Sequence, residues 1–262
     1  MTLLLEPAQM SPLQHALVPA GGMRQLPLDF EPVVPAGLEQ FVPEGNKELL
    51  AWLMAWPDSA QPGTPAYLWG PAGCGKTHLL RGLAGQALAL GWHVLWLDRQ
   101  GFQSWDSAQP EAPTLVLMDD CESLDAPQQH WAFNLFIENA AATAQREAAG
   151  GQGGMSMDIV AAGRVPPVDL NVRDDLRTRL GWGLIFGVQP LGEEGVRLVL
   201  TKEAKRRGVR LAEGVVPYLL THFSRDLGFL MDLLERLDRF ALAEQRLVTV
   251  PLLKQMLAQE TE

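Results

Sequence analysis

The feature that most constrains the fold is a glycine-rich octapeptide, GPAGCGKT, at residues 70–77. It fits the pattern G-x-x-x-x-G-K-[ST], and it lies between the apolar run YLW at 67–69 and an amphipathic segment, as this pattern requires. Glycines let successive backbone N–H groups converge on a phosphate, and the positive end of the following helix points at the same anion. The sequence therefore predicts a phosphate-binding loop between a strand and a helix.

Within this loop, we expect Lys76 to bridge the β- and γ-phosphates of a nucleotide and the Thr77 hydroxyl to bind Mg²⁺. The alternative, a glycine-rich turn without a ligand, is disfavoured by the complete motif in its required context. Cys74 stands at a variable position and is interpreted as a small spacer. The residues predicted to hold the phosphates are Gly70, Pro71, Ala72, Gly73, Cys74, Gly75, Lys76 and Thr77.

The second half of such a site is an apolar strand that ends in acid, and LVLM at 115–118 followed by Asp119 and Asp120 has this pattern. We expect Asp119 to hold Mg²⁺ through water and Asp120 to act as the general base that polarises the attacking water. A pair of aspartates can also begin a solvated helix, because Asp is favoured near helix N-termini. The upstream phosphate loop favours the metal and base roles.

The remaining pattern predicts an α/β fold with a helical appendage. Five short apolar runs, at 67–69, 93–97, 114–118, 158–162 and 183–188, alternate with longer amphipathic segments. This alternation predicts a P-loop core with a five-stranded, mainly parallel sheet flanked by helices. From Glu193 onward only helical spacing is present, which predicts a small C-terminal all-helical lid domain. We expect an N-terminal arm at 1–35, a nucleotide-binding core at 36–191 and the lid at 192–262.

Composition excludes several other classes. A net charge of −10 argues against general binding to duplex DNA, because that affinity comes mainly from Lys and Arg on phosphates. Two cysteines give no disulfide framework, and no stretch has the roughly 20 apolar residues that span a bilayer. We expect a cytoplasmic protein that does not bind membranes.

Several segments together resemble the DnaA-like AAA+ family, most closely its Hda branch. They are LEQFV at 38–42, GPAGCGKTHLL at 70–80, the Asp119-Asp120 pair, and residues 161–191 with their RLGWG and QPL elements. The resemblance covers residues 25 to about 258. It implies an AAA+ core that binds ADP or ATP, with the choice left open, and a role in regulating replication initiation. DnaA's DNA-reading helix-turn-helix domain has no counterpart after the lid, so no sequence-specific DNA binding is expected.

The resemblance also assigns individual residues. It places Phe41 and Val42 in the adenine pocket and His78 beside the phosphate loop. In RLGWG it identifies Arg179 as an arginine finger, offered in trans to ATP bound by DnaA. A planar, permanent charge suits the spreading negative charge of the γ-phosphoryl group.

Two other arginines, Arg173 and Arg177, lie close to Arg179 in the sequence. They do not match the family's finger position and are interpreted as solvated helix charges.

The hexapeptide QLPLDF at 25–30 resembles the short peptide by which bacterial proteins bind the sliding clamp, the β subunit of DNA polymerase III. The resemblance places Gln25 in a polar pocket and Leu28 and Phe30 in an apolar one, with Leu26 beside them. An extended segment of this kind can insert alternate side chains into a groove at modest ordering cost. Taken alone, the hexapeptide would be expected to pack on its own core, but its position before an Hda-like core favours clamp binding.

Two positions depart from the wider family's pattern. The sensor 1 polar residue, which would orient the attacking water, is replaced by Gly163. The lid arginine that would touch the phosphates is replaced by Gly228, although Arg225 lies one helical turn earlier. Both losses weaken ATP hydrolysis by the chain itself. They favour a nucleotide-gated activator that stimulates ATP hydrolysis by DnaA and thereby prevents re-initiation.

Two other functions compete with this interpretation. A self-assembling ATPase or helicase loader of the DnaA/DnaC clade would show sizeable turnover without partners, and homo-oligomerisation stays open. A membrane or scaffold adaptor with a merely structural P-loop would bind its partners independently of nucleotide.

Overall fold

The computed structural model describes residues 37–58, 63–104, 112–148, 150, 156–224 and 226–259. These form one six-stranded sheet with helices on both faces and a helical domain after it. The strands are β1 (Ala66–Trp69), β2 (His93–Asp98), β3 (Gly101–Ser104), β4 (Thr114–Met118), β5 (Met157–Gly163) and β6 (Leu184–Gly187). Their order in the sheet is β3-β2-β4-β5-β1-β6, and every pairing is parallel except that of β2 with β3. The predicted α/β fold class is confirmed.

The sheet contains one strand more than the five that were predicted. β3 is a four-residue edge strand that pairs antiparallel with β2 after a turn at Arg99 and Gln100. The Asp98 carboxylate stabilises that turn by accepting a hydrogen bond from the Gln100 N–H (2.7 Å), and Gly101 supplies the positive φ that follows. The sequence GFQS has a single large apolar residue, so hydrophobic patterning could not detect this strand.

Helices cover both faces of the sheet. They are α1 (Lys47–Met54) and α2 (Lys76–Ala89) on one face, and α3 (Ala126–Ala148) and α4 (Asp174–Leu180) on the other. Because β4 is buried at all five positions, both faces of the central strand are apolar, as is usual for parallel sheets. Leu79 and Leu83 of α2 pack on one side of the sheet, and Phe136 of α3 packs on the other.

The C-terminal part is entirely helical, which confirms the predicted lid. It consists of α5 (Glu193–Arg206), α6 (Val215–His222), α7 (Leu227–Glu244) and α8 (Val250–Gln259). These helices enclose their own apolar core, to which Leu200, Leu219, Leu234 and Leu253 contribute. The limits at 36–191 and 192–262 stay predictions, and the arm at 1–35 lies outside the described residues.

None of the helices that the structure describes combines the length and apolarity needed to cross a membrane. The two cysteines, Cys74 and Cys121, are buried free thiols.

Candidate nucleotide-binding site

The glycine-rich loop joins the carboxyl end of β1 to α2, so the predicted strand–loop–helix arrangement is present. The Gly70 N–H donates to the Gly163 carbonyl (3.2 Å), which ties the loop to β5. Gly73 and Gly75 have φ values of +71° and +100°, which L side chains rarely adopt. A Cβ at Gly75 would also lie 2.9 Å from the Phe41 ring. Both the backbone turn and the close packing therefore require glycine at position 75.

Lys76 is the first residue of α2, and its side chain turns back into the loop. Its ammonium group donates to the carbonyls of Gly70 (2.8 Å) and Pro71 (3.1 Å), and the residue is only 5% exposed. A buried positive charge held by neutral carbonyls favours an anionic ligand, because burying an uncompensated charge is costly. The loop thus provides a cation beside converging backbone amides, which fits a nucleotide's phosphate groups.

The predicted metal-binding pair lies together at the adjacent strand end. The Thr77 hydroxyl donates to Asp119 Oδ2 (2.7 Å), while Asp119 Oδ1 accepts from the Asp120 N–H (3.0 Å). Burial raises the pKa of the Asp119 carboxyl, which is 7% exposed. Among the described residues no group of three or more His, Cys, Asp or Glu side chains could hold a metal. One carboxylate and one hydroxyl suit Mg²⁺, which usually takes its remaining ligands from water and phosphates.

Asp120 has a strained backbone at the end of β4, with φ +45° and ψ 55°. Non-glycine residues in this left-handed region are uncommon and cluster at functional sites. A short 3-10 turn, Cys121–Ser123, follows, and the Asp120 side chain makes no capping hydrogen bond to it. The helix-start alternative for this aspartate therefore lacks its expected contact, and the carboxylate stays available for another role.

Phe41 and His78 form one wall beside the phosphate loop. Their rings stack with centroids 6.1 Å apart and planes inclined by 29°. Burial lowers the pKa of His78, and its Nε2 has no hydrogen-bond partner among the described residues. Val42 follows Phe41 and is half-buried. An aromatic ring beside a neutral imidazole suits contact with a nucleobase.

The segment that carries Phe41 is held in place by Asn46, whose role the sequence did not reveal. The Asn46 side chain donates to the Gln189 carbonyl (2.9 Å) and accepts from the Gln189 N–H (2.8 Å). An asparagine directly before a helix is typical of an N-cap, but here it makes no capping bond to α1. It joins the segment that carries Phe41 to Gln189, in the loop between β6 and α5, instead.

Arg179 lies in the last turn of α4, near the amino ends of the parallel strands. The phosphate loop lies at their carboxyl ends. Its guanidinium carbon is 4.1 Å from the centroid of the Trp182 ring and 6.0 Å from that of Phe133. Trp182 is 66% exposed, and a groove of about 590 Å³ that runs along α3 reaches both Arg179 and Trp182. No carboxylate pairs with Arg179 within the part of the chain that the structure describes.

The two neighbouring arginines differ from Arg179 in this respect. Arg173 binds the Asp175 carboxylate (2.6 Å), and Arg177 binds that of Asp174. Their interpretation as surface helix charges agrees with these partners.

Comparison with known proteins places this site in a family. Domain III of the Thermotoga maritima replication initiation protein DnaA superposes with a TM-score of 0.63 at 20% identity, covering 86% of this chain and 96% of that one. AMPPCP-bound DnaA from Aquifex aeolicus gives 0.53 at 21% identity over 76% of this chain and 65% of that one. The family model for the Hda lid domain matches residues 193–257. An uncharacterized Haemophilus influenzae protein is 31% identical over 242 residues, 89% of this chain and 98% of that protein.

The chain belongs to the Hda-like branch of the DnaA family of AAA+ proteins. The predicted family is therefore confirmed. The lid match and the DnaA-like fold support a DnaA-related replication regulator.

Gly163, the predicted sensor 1 position, has no room for a side chain because Tyr67 fills the space beside it. A Cβ at Gly163 would lie 2.0 Å from the Tyr67 hydroxyl oxygen. Tyr67 is buried on β1, and its hydroxyl donates to the Val165 carbonyl (3.1 Å). Burial also raises the pKa of this phenol, which keeps it a neutral donor. Packing thus excludes any side chain larger than hydrogen at this position unless Tyr67 moves.

The lid reaches the phosphate loop through Asp226. A Cβ at Gly73 would lie 2.5 Å from Asp226 Oδ1, so this carboxylate packs directly on the loop. The predicted lid position, Gly228, is in the first turn of α7, while Arg225 lies outside the described residues. No local sequence pattern predicts the Asp226 contact, because it joins the helical C-terminal part to the phosphate loop.

The clamp-binding prediction falls on Gln25, Leu26, Leu28 and Phe30, which also lie outside the described residues.

Proposed function

We propose that this chain regulates replication initiation by binding adenine nucleotide and stimulating hydrolysis of the ATP held by DnaA. Arg179 supplies the arginine finger in trans, and the N-terminal hexapeptide docks the protein on the DNA-loaded sliding clamp. The conversion of DnaA to its ADP form prevents re-initiation. Membership of the Hda-like branch and the DnaA-like fold support this proposal.

The chain's own residues divide the work of binding the nucleotide. Amides of the loop at 70–76 and the Lys76 ammonium group hold the phosphates, while the Phe41 and His78 rings face the base and Val42 lies beside them. Thr77 and Asp119 would hold Mg²⁺, which would neutralise phosphate charge, and Asp120 would polarise a water molecule. The AMPPCP bound by the Aquifex aeolicus relative supports a nucleotide at this loop.

The observation that supports the in-trans role is the position of Arg179, on α4, relative to the sheet. β6 runs parallel to β1 and pairs Leu184 with Ala66, so the segment just before β6 lies at the amino edge of the sheet. The phosphate loop leaves β1 at the carboxyl edge. β1 has four residues, which span about 13 Å. Arg179 therefore lies at the end of the sheet away from its own phosphate loop, a position that suits a nucleotide bound by a neighbouring protein.

Weak ATP hydrolysis by the chain itself agrees with an arginine finger that acts on a neighbouring protein. Gly163 supplies no polar group to orient water, and Gly228 supplies no cation to the phosphates. Neither glycine removes a phosphate-binding group of the loop or changes Arg179, so nucleotide binding and the action of Arg179 on a partner can persist without efficient hydrolysis by the chain itself.

The test is a reconstitution with purified DnaA preloaded with labelled ATP, DNA-loaded clamp and this protein. Arg179→Ala should abolish the stimulated hydrolysis, because a finger contributes about 10³–10⁵ in rate. Arg173→Ala is the matched control, since Arg173 already has a carboxylate partner, and it should stimulate normally. Equal stimulation by Arg179→Ala would refute the proposed mechanism. Sizeable turnover without DnaA or clamp would favour the self-assembling ATPase instead.

Clamp docking has its own test, which is a pull-down with the purified sliding clamp. The double variant Gln25→Ala/Phe30→Ala should lose binding, because it removes both the polar and the apolar anchor of the hexapeptide. Gln9→Ala, in the same N-terminal arm, should bind as the wild type does. Retention of the double variant would show that another segment makes the contact.

A further inference from the structure

The charges of the chain are distributed unevenly between its core and its lid. Residues 193–259 carry eleven Lys and Arg against nine Asp and Glu, whereas the rest of the chain carries ten against twenty-two. The net charge of −10 therefore arises outside the helical C-terminal part, which is itself slightly basic. The acidity of the whole chain does not exclude a DNA-binding surface on this part, because local clusters of Lys and Arg determine such a surface.

Four exposed cationic side chains lie at the end of α5 and just beyond it. They form a basic ridge, which consists of Lys202, Lys205, Arg206 and Arg210. The first three lie three or four residues apart on the helix, so they share one face of it. Leu200 and Ala204 occupy the opposite face and pack into the lid core. The ridge therefore faces solvent.

Most of the ridge has no acidic partner. Glu203 is the one acidic residue between positions 202 and 210, and it already accepts hydrogen bonds from Arg206 (2.8 and 2.7 Å) and from Arg207. Over the residues that the structure describes, no carboxylate forms an ion pair with Lys202, Lys205 or Arg210.

The helix dipole does not account for this cluster. Cations in the last turn of a helix stabilise its carbonyl end, and Lys205 and Arg206 lie in that turn of α5. Lys202 precedes the last turn, however, and Arg210 follows the helix. The ridge thus extends beyond the positions that the dipole favours.

We propose that the basic ridge binds the phosphate backbone of duplex DNA without reading its sequence. Duplex DNA carries one negative charge per about 1.7 Å of its axis, so a row of cations meets several phosphates. Contacts of Lys and Arg with phosphates position a protein on the duplex but carry no sequence information.

The role of this contact rests on the proposed function, because a chain docked on a DNA-loaded clamp is held beside the duplex. At the resulting high effective concentration, a contact that is weak in free solution is sufficient to restrain the orientation of the protein. This proximity favours DNA over an acidic protein surface as the partner of the ridge.

The test measures the fluorescence anisotropy of a labelled DNA duplex during titration with the full chain, without nucleotide, DnaA or clamp. The affinity of the wild type should fall about a hundredfold between 50 and 200 mM salt, as four phosphate contacts imply. Lys202→Ala/Lys205→Ala/Arg210→Ala, the ridge variant, should bind at least about tenfold more weakly at the lower salt concentration, and its affinity should depend much less on salt.

Two matched variants separate the position of the charges from their number. Lys47→Ala/Arg99→Ala/Arg173→Ala removes three exposed cations outside the lid and should bind DNA as the wild type does. Lys202→Arg/Lys205→Arg/Arg210→Lys keeps the charge of the ridge and should also bind as the wild type does, because phosphate contacts need the charge rather than one side chain.

Equal affinity of the ridge variant and the wild type would overturn the proposal, and so would a wild type that does not bind the duplex at the lower salt concentration. Sedimentation velocity provides the remaining comparison. If neither protein binds DNA and only the wild type self-associates, the ridge binds the acidic surface of a second copy, and the DNA proposal is overturned.

The two proposals fail separately. The anisotropy assay contains no nucleotide, DnaA or clamp, so its failure leaves the proposed function unaffected. Loss of stimulated hydrolysis in the reconstitution would defeat the proposed function without changing the measured affinity for DNA.

Discussion

A methyl group added at the sensor 1 position should destabilise the core, and the cost can be estimated from the contacts around it. In Gly163→Ala the new Cβ would stand 2.0 Å from the Tyr67 hydroxyl oxygen, so the buried phenol must move. Moving it breaks the hydrogen bond to the Val165 carbonyl, worth about 1 kcal/mol net. Overpacking adds about 1–3 kcal/mol. We expect the free energy of unfolding to fall by roughly 2–4 kcal/mol.

Urea denaturation of a double-mutant cycle tests this explanation. Tyr67→Phe removes the hydroxyl oxygen and should by itself cost about 1 kcal/mol, because the hydrogen bond to the carbonyl of the exposed Val165 is lost. In that background the Cβ faces ring carbon Cζ and Glu122 Oε2, each at 3.1 Å, and small shifts of these side chains relieve both contacts. Gly163→Ala should then cost under about 1 kcal/mol. Additive costs, or a Gly163→Ala variant as stable as wild type, would refute the idea that Tyr67 keeps this position a glycine.

Two further predictions concern the finger and the lid. Trp182→Ala should lower clamp-dependent stimulation of DnaA's ATP hydrolysis about three- to tenfold, because the ring orients the Arg179 guanidinium. Trp182→Phe should retain most of the stimulation. Full stimulation by both variants would contradict this role of the ring. Hydrogen bonds from Arg206 and Arg207 lower the pKa of Glu203 to about 2 from 4.5, so its stabilisation is present above pH 4.5 and is lost as the pH falls through about 2. Glu203→Gln should therefore lower the free energy of unfolding by about 1 kcal/mol at pH 7, allowing for partial exposure. Urea unfolding should show that the difference from wild type vanishes towards pH 2. A difference that does not depend on pH would contradict this explanation.

The fold could be predicted from the sequence wherever one element carried its own signal. The strand before the phosphate loop, the acidic end of β4 and the helical spacing after Glu193 are local patterns of burial and turn chemistry. β3 escaped prediction because an edge strand with one large apolar residue has no such pattern. Its pairing is determined by the Asp98 turn and by β2.

The candidate site also contains some contacts that the sequence predicts and others that it does not. Lys76, Thr77 and Asp119 belong to motifs whose spacing already implies that they meet. The obstruction of Gly163 by Tyr67 depends on the register between β1 and β5, and the contact of Asp226 with Gly73 depends on how the lid lies on the core. Neither relation is encoded in a local pattern, so neither could be predicted from one sequence.

The phosphate loop offers the most direct test of the proposed function, because the proposed regulator cannot respond to nucleotide without it. We predict that Lys76→Ala weakens ADP binding in titration calorimetry at least about thirtyfold, since it removes a buried charge partner worth about 2 kcal/mol or more. Lys202→Ala, an exposed lysine on α5, should bind as the wild type does. Unchanged ADP affinity in Lys76→Ala would contradict the account.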